Sequence, residues 1–433
     1  MPKVKVTPNL IIITLLLLVS QGCSLLKSPS ASSAITKKLR DISTFEEHFA
    51  GMAFYDPQAD EWLYRKNADK YFTPASNTKL LTYFAALKTL GDRLDALQYY
   101  RSNDTLYFRG TADPTLLHPD FSTHLVADFL SADPAKVLVY LPDPVPVKFG
   151  SGWAWDDYQY DFQPELSDLP VWGNVLRLER QDTSTSVIPV FFEPFIEETE
   201  GKYATREAGY NLFRLGAEFE EEEASIPFIS SPELTATLLA NALQRKVLRN
   251  DSLQINDFQT LQGLRSSTLY RIMMLRSDNF YAEQMNLMGS FKLGFGWNTD
   301  AYRNHIIRQY LGDLPQPVRW RDGSGLSRYN LITPESMVKL LEKIEEEAGF
   351  EQIKNTFPVG GKTGTIRKWY PGQPPYVYAK TGTLSNNHNL SGFLITNSGK
   401  RIVFSLMNNN YVRPNSEIKE AMQQLLEFIR DQY

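Results

Sequence analysis

The chain has 433 residues, of which 42% are hydrophobic and 12% aromatic, and its formal net charge is −5. This length and hydrophobic content predict two or three folded domains and exclude disorder along the whole chain. The negative charge and the lack of a strongly basic tract argue against a nucleic-acid partner.

The first 22 residues have the pattern of a secretory signal peptide. Lys3 and Lys5 precede a mostly apolar run from Leu10 to Val19. That run is shorter than the roughly 20 apolar residues that span a bilayer, but it fits the core of a signal peptide. We therefore expect an exported protein of the periplasm or cell envelope.

Cys23 is the only cysteine and follows Gly22 directly after the signal peptide. Its position is similar to that of the lipidated cysteine in bacterial lipoproteins, although Ser20 and Gln21 are not the usual preceding residues. Lipidation would anchor the protein on a membrane, with residues 23–40 as a flexible tether. The alternative is a secreted protein with an incidental cysteine. A single cysteine excludes an internal disulfide and a multi-cysteine zinc site.

A helix is predicted after the first hairpin. Thr73 is a suitable N-cap, Pro74 suits the first helical position, and Gly91 suits the C-terminal stop. This places Ser76 in the first turn, with Lys79 three residues later on nearly the same face.

The other elements follow from periodicity and turn residues. Residues 92–261 contain short strand-like runs broken by Pro, Gly and Asp, which predict one or two inserted domains, and their acidic run at residues 218–225 is predicted to be a solvated loop. The rest of the chain predicts a hairpin over residues 49–65, two helices joined near residues 277–279, a turn-rich loop at 322–330, a helix capped by Thr333, strands around 376–408 with a turn at 397–400, and an amphipathic C-terminal helix.

Three short motifs occur in a fixed order along the chain. They are Ser76-x-x-Lys79, Ser277-Asp278-Asn279 and Lys380-Thr381-Gly382. Each is weak alone, because S-x-x-K occurs four times, S-x-N twice and K-T-G twice. Their order, on a helix turn, an interhelical loop and a strand, indicates a serine acyl-transfer site of the penicillin-binding type. The other K-T-G, at Lys362, follows a turn, so we interpret Lys380 as the functional copy.

These residue types suit acyl transfer. The Ser76 hydroxyl is a poor nucleophile until a base takes its proton. Lys79 can be that base only when neutral, so burial and a nearby cation such as Lys380 are expected to lower its pKa. Ser277 is suited to relay a proton to the leaving amine, and the Asn279 amide to hold a substrate carbonyl.

The strand of the third motif is predicted to bind an extended peptide by strand addition. Gly382 would allow a close backbone approach, and the Thr381 and Thr383 hydroxyls would bind a carboxylate. Backbone N–H groups near Ser76 would stabilise an oxyanion.

Other chemistries have no comparable pattern. The histidines are scattered and form no H-E-x-x-H motif, and G-x-S-x-G, a phosphate loop and a dinucleotide fingerprint are absent. We therefore expect no metal and no cofactor. The histidines are His48, His118, His124, His305 and His388.

Together these segments resemble the class C low-molecular-mass penicillin-binding proteins, the D-alanyl-D-alanine carboxypeptidase/endopeptidase family. The segments that carry the resemblance are PASNTKLLT, GTADPTL, GWAWDD, SDNFYAE, DGSGLSR and AKTGTL. The long interval between Lys79 and Ser277 is typical of this class.

The resemblance implies an α+β serine β-lactamase/DD-peptidase-like transpeptidase domain, with a helical lobe and an antiparallel sheet flanked by helices. That domain would comprise residues 41–91 and 262–433, with the large insertion at 92–261. By resemblance, Ser76 is the acylated nucleophile and Lys79 its base, and Ser277 and Asn279 line the cleft. The other assignments are the substrate-binding residues Asp278, Thr381, Gly382 and Thr383, with Lys380 at the substrate carboxylate.

The resemblance implies peptidoglycan stem peptides as substrates and β-lactam antibiotics as inhibitors. One departure is Lys362-Thr363-Gly364-Thr365, where the family often has D-G-T, so the role of that loop stays open. Contacts of Asp156, Asp157 and Arg328 with the peptide also stay open. Two alternative functions remain: a cell-wall-binding or β-lactam-sensing lipoprotein without turnover, and a β-lactamase.

Overall fold

The computed structural model describes residues 31–181 and 184–433. The predicted signal peptide, Cys23 and the first part of the predicted tether lie outside these residues. Within the described ranges, no helix is both long and apolar enough to cross a bilayer.

The helices, in chain order, are α1 (Ala31–Asp41), α2 (Lys79–Thr89), α3 (Leu125–Ala132), α4 (Pro232–Leu243), α5 (Ser266–Arg276), α6 (Asn279–Lys292), α7 (Thr299–Tyr310), α8 (Pro334–Ala348), α9 (Phe350–Thr356) and α10 (Asn415–Gln432).

The strands, in chain order, are β1 (Phe49–Asp56), β2 (Glu61–Lys66), β3 (Arg93–Ser102), β4 (Thr105–Arg109), β5 (Val137–Tyr140), β6 (Val175–Gln181), β7 (Ser184–Ile188), β8 (Ile196–Thr199), β9 (Ala204–Arg206), β10 (Phe213–Gly216), β11 (Glu223–Pro227), β12 (Val247–Arg249), β13 (Gln259–Arg265), β14 (Val377–Leu384), β15 (Asn387–Ile395) and β16 (Arg401–Asn409).

A five-stranded sheet in the order β14-β15-β16-β1-β2 forms the centre of the main domain, and all its pairs are antiparallel. Strands β15 and β16 are buried along nearly their whole length because helices cover both faces of the sheet. Helices α1 and α10 pack on one face, and the helical lobe with α2 and α8 packs on the other. This confirms the predicted α+β transpeptidase-like fold.

The tether prediction is wrong for residues 31–40. These residues form most of α1, whose Ile35 and Leu39 are buried four residues apart on one face. Both side chains join the core cluster that contains α10 and the adjacent face of the central sheet. The segment therefore belongs to the folded domain, because the apolar face of α1 is buried against α10 and the sheet.

The described residues of the inserted region form three further sheets. Their orders are β12-β5-β4-β3-β13, β11-β6-β7 and β8-β10-β9. Strand β13 pairs with β3, so the inserted five-stranded sheet continues past the predicted boundary at residue 261. The predicted acidic loop also ends early, because Glu223 already begins β11.

Candidate active site

Ser76 lies in a short 3₁₀ turn, Ala75–Thr78, directly before α2. The predicted helix start is wrong, because Thr73 does not cap the helix. Its backbone N–H instead donates to Asn409 Oδ1 of β16 at 2.8 Å, and its carbonyl accepts from Asn389 Nδ2 of β15 at 3.0 Å. The turn that carries Ser76 is thus hydrogen-bonded to the central sheet, with Ala75 held at φ +49°.

Lys79 is the first residue of α2 and is fully buried. Its Nζ lies 3.1 Å from Ser76 Oγ, 2.6 Å from Asn279 Oδ1 and 2.7 Å from the Ser324 carbonyl oxygen. The amine therefore lies beside the Ser76 hydroxyl, and two further acceptors hold it there.

Burial lowers the pKa of Lys79 to about 8, against the opposing effect of the carboxylates Asp278, Asp322 and Glu283. The sequence prediction named Lys380 as a cation that contributes to this shift. Burial, which was also predicted, is the cause that lowers the pKa of Lys79, whereas Lys380 does not contribute; the charge of Lys79 instead adds to burial in lowering the pKa of Lys380.

The second motif joins α5 to α6. Ser277 has φ +60° and ends α5, and Asp278 caps α6 by accepting from the Tyr281 N–H at 2.8 Å. Asn279 is therefore the first residue of α6. Its amide oxygen accepts from Lys79, and its Nδ2 donates to the Phe162 carbonyl at 3.0 Å.

The third motif lies on the edge strand β14, as predicted. Lys380 is buried, and its Nζ lies 2.7 Å from Ser277 Oγ, which joins the second and third motifs across the cleft. Thr381 Oγ1 lies 2.7 Å from Thr365 Oγ1, and Thr383 Oγ1 lies 2.8 Å from His388 Nδ1. The Lys362 segment therefore reaches the site through Thr365.

Gly382 packs directly against the nucleophile turn. A Cβ at this position would lie 2.3 Å from the Pro74 carbonyl oxygen and 2.8 Å from the Asn77 backbone nitrogen. Only glycine lets β14 come this close to Ser76. The sequence predicted that Gly382 would admit a substrate backbone, whereas the close contact that the structure shows is with the turn that carries Ser76.

Two buried carboxylates that sequence reasoning did not single out hold the 322–325 loop. Glu283 accepts from the backbone N–H groups of Gly323 and Ser324 at 2.9 and 2.7 Å. Asp322 accepts from those of Gly325 and Ser327 at 2.9 and 2.6 Å. Glu283 and Asp322 together hold the Ser324 carbonyl oxygen in place, and Lys79 donates a hydrogen bond to that oxygen.

The region that we call the insertion arm, residues 143–163, borders the site. Trp153 Nε1 donates to Asp322 Oδ2 at 2.9 Å, and the Phe162 carbonyl accepts from Asn279. These contacts cross more than a hundred residues of sequence, so spacing alone does not reveal them.

The sequence left the roles of Asp156, Asp157 and Arg328 open, and these residues are not among the hydrogen-bond partners of Lys79. Burial, followed by the charge of Asp156, raises the pKa of Asp157. Arg328 donates to the Ser385 carbonyl at 3.2 Å.

Among the described residues, no group of three or more His, Cys, Asp or Glu side chains is arranged to hold a metal ion.

The arrangement is suited to acyl transfer. A hydroxyl faces a buried amine of lowered pKa, and a second lysine, a serine and an amide converge on the same cleft. Two hydrogen-bonded groups face this cleft: Lys79 with Ser76 and Asn279, and Lys380 with Ser277.

Known proteins resemble the chain over most of its length. The sequence profile of the D-Ala-D-Ala carboxypeptidase 3 (S13) family matches residues 31–189 and 233–432. The chain is 25% identical to a D-alanyl-D-alanine carboxypeptidase of Actinomadura sp. strain R39, over 94% of this chain and 87% of that protein. It is 37% identical to the D-alanyl-D-alanine carboxypeptidase DacB of Haemophilus influenzae, over 38% and 36% of the two chains.

A solved structure shares the fold. Penicillin-binding protein 4 (dacB) of H. influenzae superposes with a TM-score of 0.72 at 20% identity, covering 91% of this chain and 98% of that one. The same protein in complex with a β-lactam gives a TM-score of 0.65. The chain belongs to the D-Ala-D-Ala carboxypeptidase 3 (S13) family of penicillin-binding serine carboxypeptidases.

Proposed function

We propose that Ser76 is the nucleophile of a D,D-peptidase that acts on peptidoglycan stem peptides. The observation that carries this proposal is the 3.1 Å approach of the buried Lys79 amine to Ser76 Oγ. An amine with a pKa of about 8 is neutral in an appreciable fraction of molecules at neutral pH and can accept the hydroxyl proton.

In the proposed reaction, neutral Lys79 takes the proton of Ser76 as Oγ attacks the carbonyl carbon of the penultimate D-alanine. The proton that Lys79 accepted is then relayed through the Ser277 hydroxyl to the nitrogen of the departing D-alanine as the peptide bond breaks, so the amine leaves neutral, Lys79 and Ser277 return to their starting protonation states, and Ser76 carries an ester. Water hydrolyses that ester, which returns the proton to the serine. Backbone N–H groups of Ser76 and Thr383 are our candidates for stabilising the oxyanion.

Substrate recognition in this proposal depends on the edge strand. The peptide lies along β14, and its terminal carboxylate meets the hydroxyls of Thr381 and Thr383 and the charge of Lys380. Asn279 holds a backbone carbonyl of the substrate. Asp278 acts differently from its sequence-based assignment: its carboxylate already caps α6, so we assign it a positioning role.

The direct test is D-alanine release from a stem pentapeptide by the described chain from Ala31 onward. We expect release by the parent protein and none by the Ser76→Ala variant. Ser416→Ala is the matched control, because Ser416 begins another S-x-x-K segment at an exposed position on α10. Equal release from Ser76→Ala and the parent protein would refute the assignment of the nucleophile.

The same proteins separate the alternative functions. A cross-linked muropeptide tests endopeptidase activity, which we propose alongside carboxypeptidase activity. Rapid turnover of penicillin would favour a β-lactamase. A stable penicillin adduct on Ser76, without cleavage of either peptide, would favour the binding lipoprotein.

We also propose that the chain is exported and lipid-anchored through Cys23. The support is the charged and apolar pattern before this cysteine. Cys23→Ala should move the protein from the membrane fraction to the soluble fraction, while Ser24→Ala should leave it in place. Retention of the Cys23→Ala protein on membranes would contradict the anchor.

A further inference from the structure

His388, for which the proposed reaction has no role, lies beside Thr383, one of the residues proposed to bind the substrate carboxylate. The two residues are directly opposite each other where β14 pairs with β15, so their side chains share one face of the sheet. His388 Nδ1 lies 2.8 Å from Thr383 Oγ1, which is hydrogen-bond distance. The pairing of the two strands therefore brings this histidine to the carboxylate-binding side of the site.

The two partners differ in their access to a substrate. Thr383 is exposed, whereas His388 is only 1% exposed. The backbone of His388 is held in the sheet as well, because its carbonyl accepts from Asn408 Nδ2 at 3.1 Å. A substrate can therefore touch Thr383 but not the His388 ring, and any effect of the ring on a substrate passes through the threonine hydroxyl.

The imidazole of His388 is neutral at neutral pH. Burial, followed by the charges of Lys419 and Lys380, lowers the pKa of His388 to about 3. A neutral imidazole carries its proton on only one of its two nitrogens. The proton on Nδ1 or on Nε2 gives two tautomers that act on Thr383 in opposite ways.

The tautomer decides what Thr383 offers to the substrate. A threonine hydroxyl has one proton and two lone pairs, and an ionised carboxylate only accepts hydrogen bonds. If Nδ1 of His388 is unprotonated, it takes the single proton of Thr383, and only lone pairs are left for the carboxylate. If Nδ1 is protonated, it donates to Oγ1, and the Thr383 proton is free to bind the carboxylate.

We propose that His388 is a positioning residue which, as the Nδ1–H tautomer, directs the Thr383 hydroxyl proton toward the substrate carboxylate. This arrangement favours molecules that end in a carboxylate over those that end in a neutral group, because a hydrogen bond to an ionised acceptor is the stronger one. The inference rests on the proposed carboxylate site at Thr383, but it does not require that the bound peptide is hydrolysed.

The tautomer can be measured directly on the chain from Ala31 onward. The histidines are labelled with ¹⁵N, and the ring signals of His388 are identified by their loss in the His388→Asn variant. ¹H–¹⁵N NMR at neutral pH then shows which ring nitrogen carries the proton. We expect the proton on Nδ1, and a proton on Nε2 would overturn the proposal.

The second test is the rate constant for acylation by benzylpenicillin, which carries a carboxylate. His388→Leu should lower this rate constant at least about 10-fold, which is the size of effect expected for a hydrogen bond to a charged group. His388→Asn places an amide N–H near the position of Nδ1 and should restore most of the rate. His48→Leu is the matched control, because His48 Nε2 bonds to Asn408 Oδ1 of the same sheet at 2.9 Å. It should leave the rate unchanged.

Thr383→Ala separates a positioning role from a structural one, because it removes the hydroxyl and keeps the backbone. In that background His388→Leu should cause no further loss, and losses that multiply would refute the proposal. The methyl ester of benzylpenicillin lacks the charge, so His388→Leu should slow its reaction less than that of the acid; equal slowing would also refute it.

Thermal unfolding shows whether each variant is folded. If His388→Leu does not fold, the tautomer of the parent protein decides. A parent protein that reacts with benzylpenicillin but releases no D-alanine would contradict the proposed peptidase activity alone, because the tautomer and acylation measurements on His388 would still support or refute its positioning role.

Discussion

Gly382 of the edge strand β14 packs directly against the turn that carries Ser76, so we expect Gly382→Ala to disable the site. The new Cβ would lie 2.3 Å from the Pro74 carbonyl oxygen, whereas ordinary contacts begin at 3.4 Å. Relief of this overlap requires the strand or the turn to move by about 1 Å, and a displacement of that size costs roughly 10²-fold in rate. The overpacking should also lower the free energy of unfolding by about 1–3 kcal/mol.

The assay is the second-order rate constant for acylation by a fluorescent penicillin, measured together with thermal unfolding. Gly312→Ala is the matched control, because the nearest atom to its added Cβ is 3.9 Å away. We expect acylation to fall about 100-fold in Gly382→Ala and to stay unchanged in Gly312→Ala. If Gly382→Ala acylated within threefold of the parent protein, the argument that the close approach positions Ser76 would be refuted.

Three further predictions concern other parts of the chain. The acylation rate should rise roughly 10-fold between pH 7 and pH 9, because Lys79 has a pKa of about 8 and only its neutral form accepts a proton; a flat pH–rate profile would count against Lys79 as the base. Trp153→Phe removes the donor to Asp322 and should lower the free energy of unfolding by about 1 kcal/mol in denaturant titrations, whereas the 84% exposed Trp155, changed to Phe, should leave it within 0.5 kcal/mol; equal effects would contradict the bond's role. Ile35→Ala should cost about 2–5 kcal/mol in the same titration, and a cost below about 0.5 kcal/mol would mean that α1 is not docked in solution.

The local elements of the site were predictable because their signals are local. Thr333 caps α8 as predicted, accepting from the Ser336 N–H at 3.1 Å. The strands predicted around residues 376–408, with a turn at 397–400, are present as β14, β15 and β16. The order of the three motifs then predicted which serine, lysine and asparagine would meet, and the structure brings them together.

The predictions that were wrong or missing share one physical cause, which is contact between residues that are far apart in the sequence. Thr73 has the residue type of an N-cap, but its backbone hydrogen bonds go to Asn389 and Asn409, more than 300 residues away. A sheet that supplies those partners overrides the local capping preference. Glu283 likewise has no local signal, since its importance comes from a loop 40 residues later.

Composition misled the interpretation of the N-terminal segment. Serine, alanine and lysine around residues 31–40 are common in tethers, and only Ile35 and Leu39 indicate an amphipathic helix. Two apolar residues are weak evidence in a sequence. In the folded chain they are decisive because α10 and the sheet present an apolar surface for them.

The strand order of the central sheet also governs when the enzyme can assemble. Strand β1 lies between β2 and β16, and Phe49 pairs with Asn409. A nascent chain therefore makes its first strand early but must wait for almost the whole polypeptide before that strand gains its second neighbour. Closing so long a loop is entropically costly, which predicts slow folding with high contact order. A chain that stops before residue 377 carries Ser76 and Lys79 but lacks the strand opposite them, so synthesis has to be nearly complete before any molecule can react.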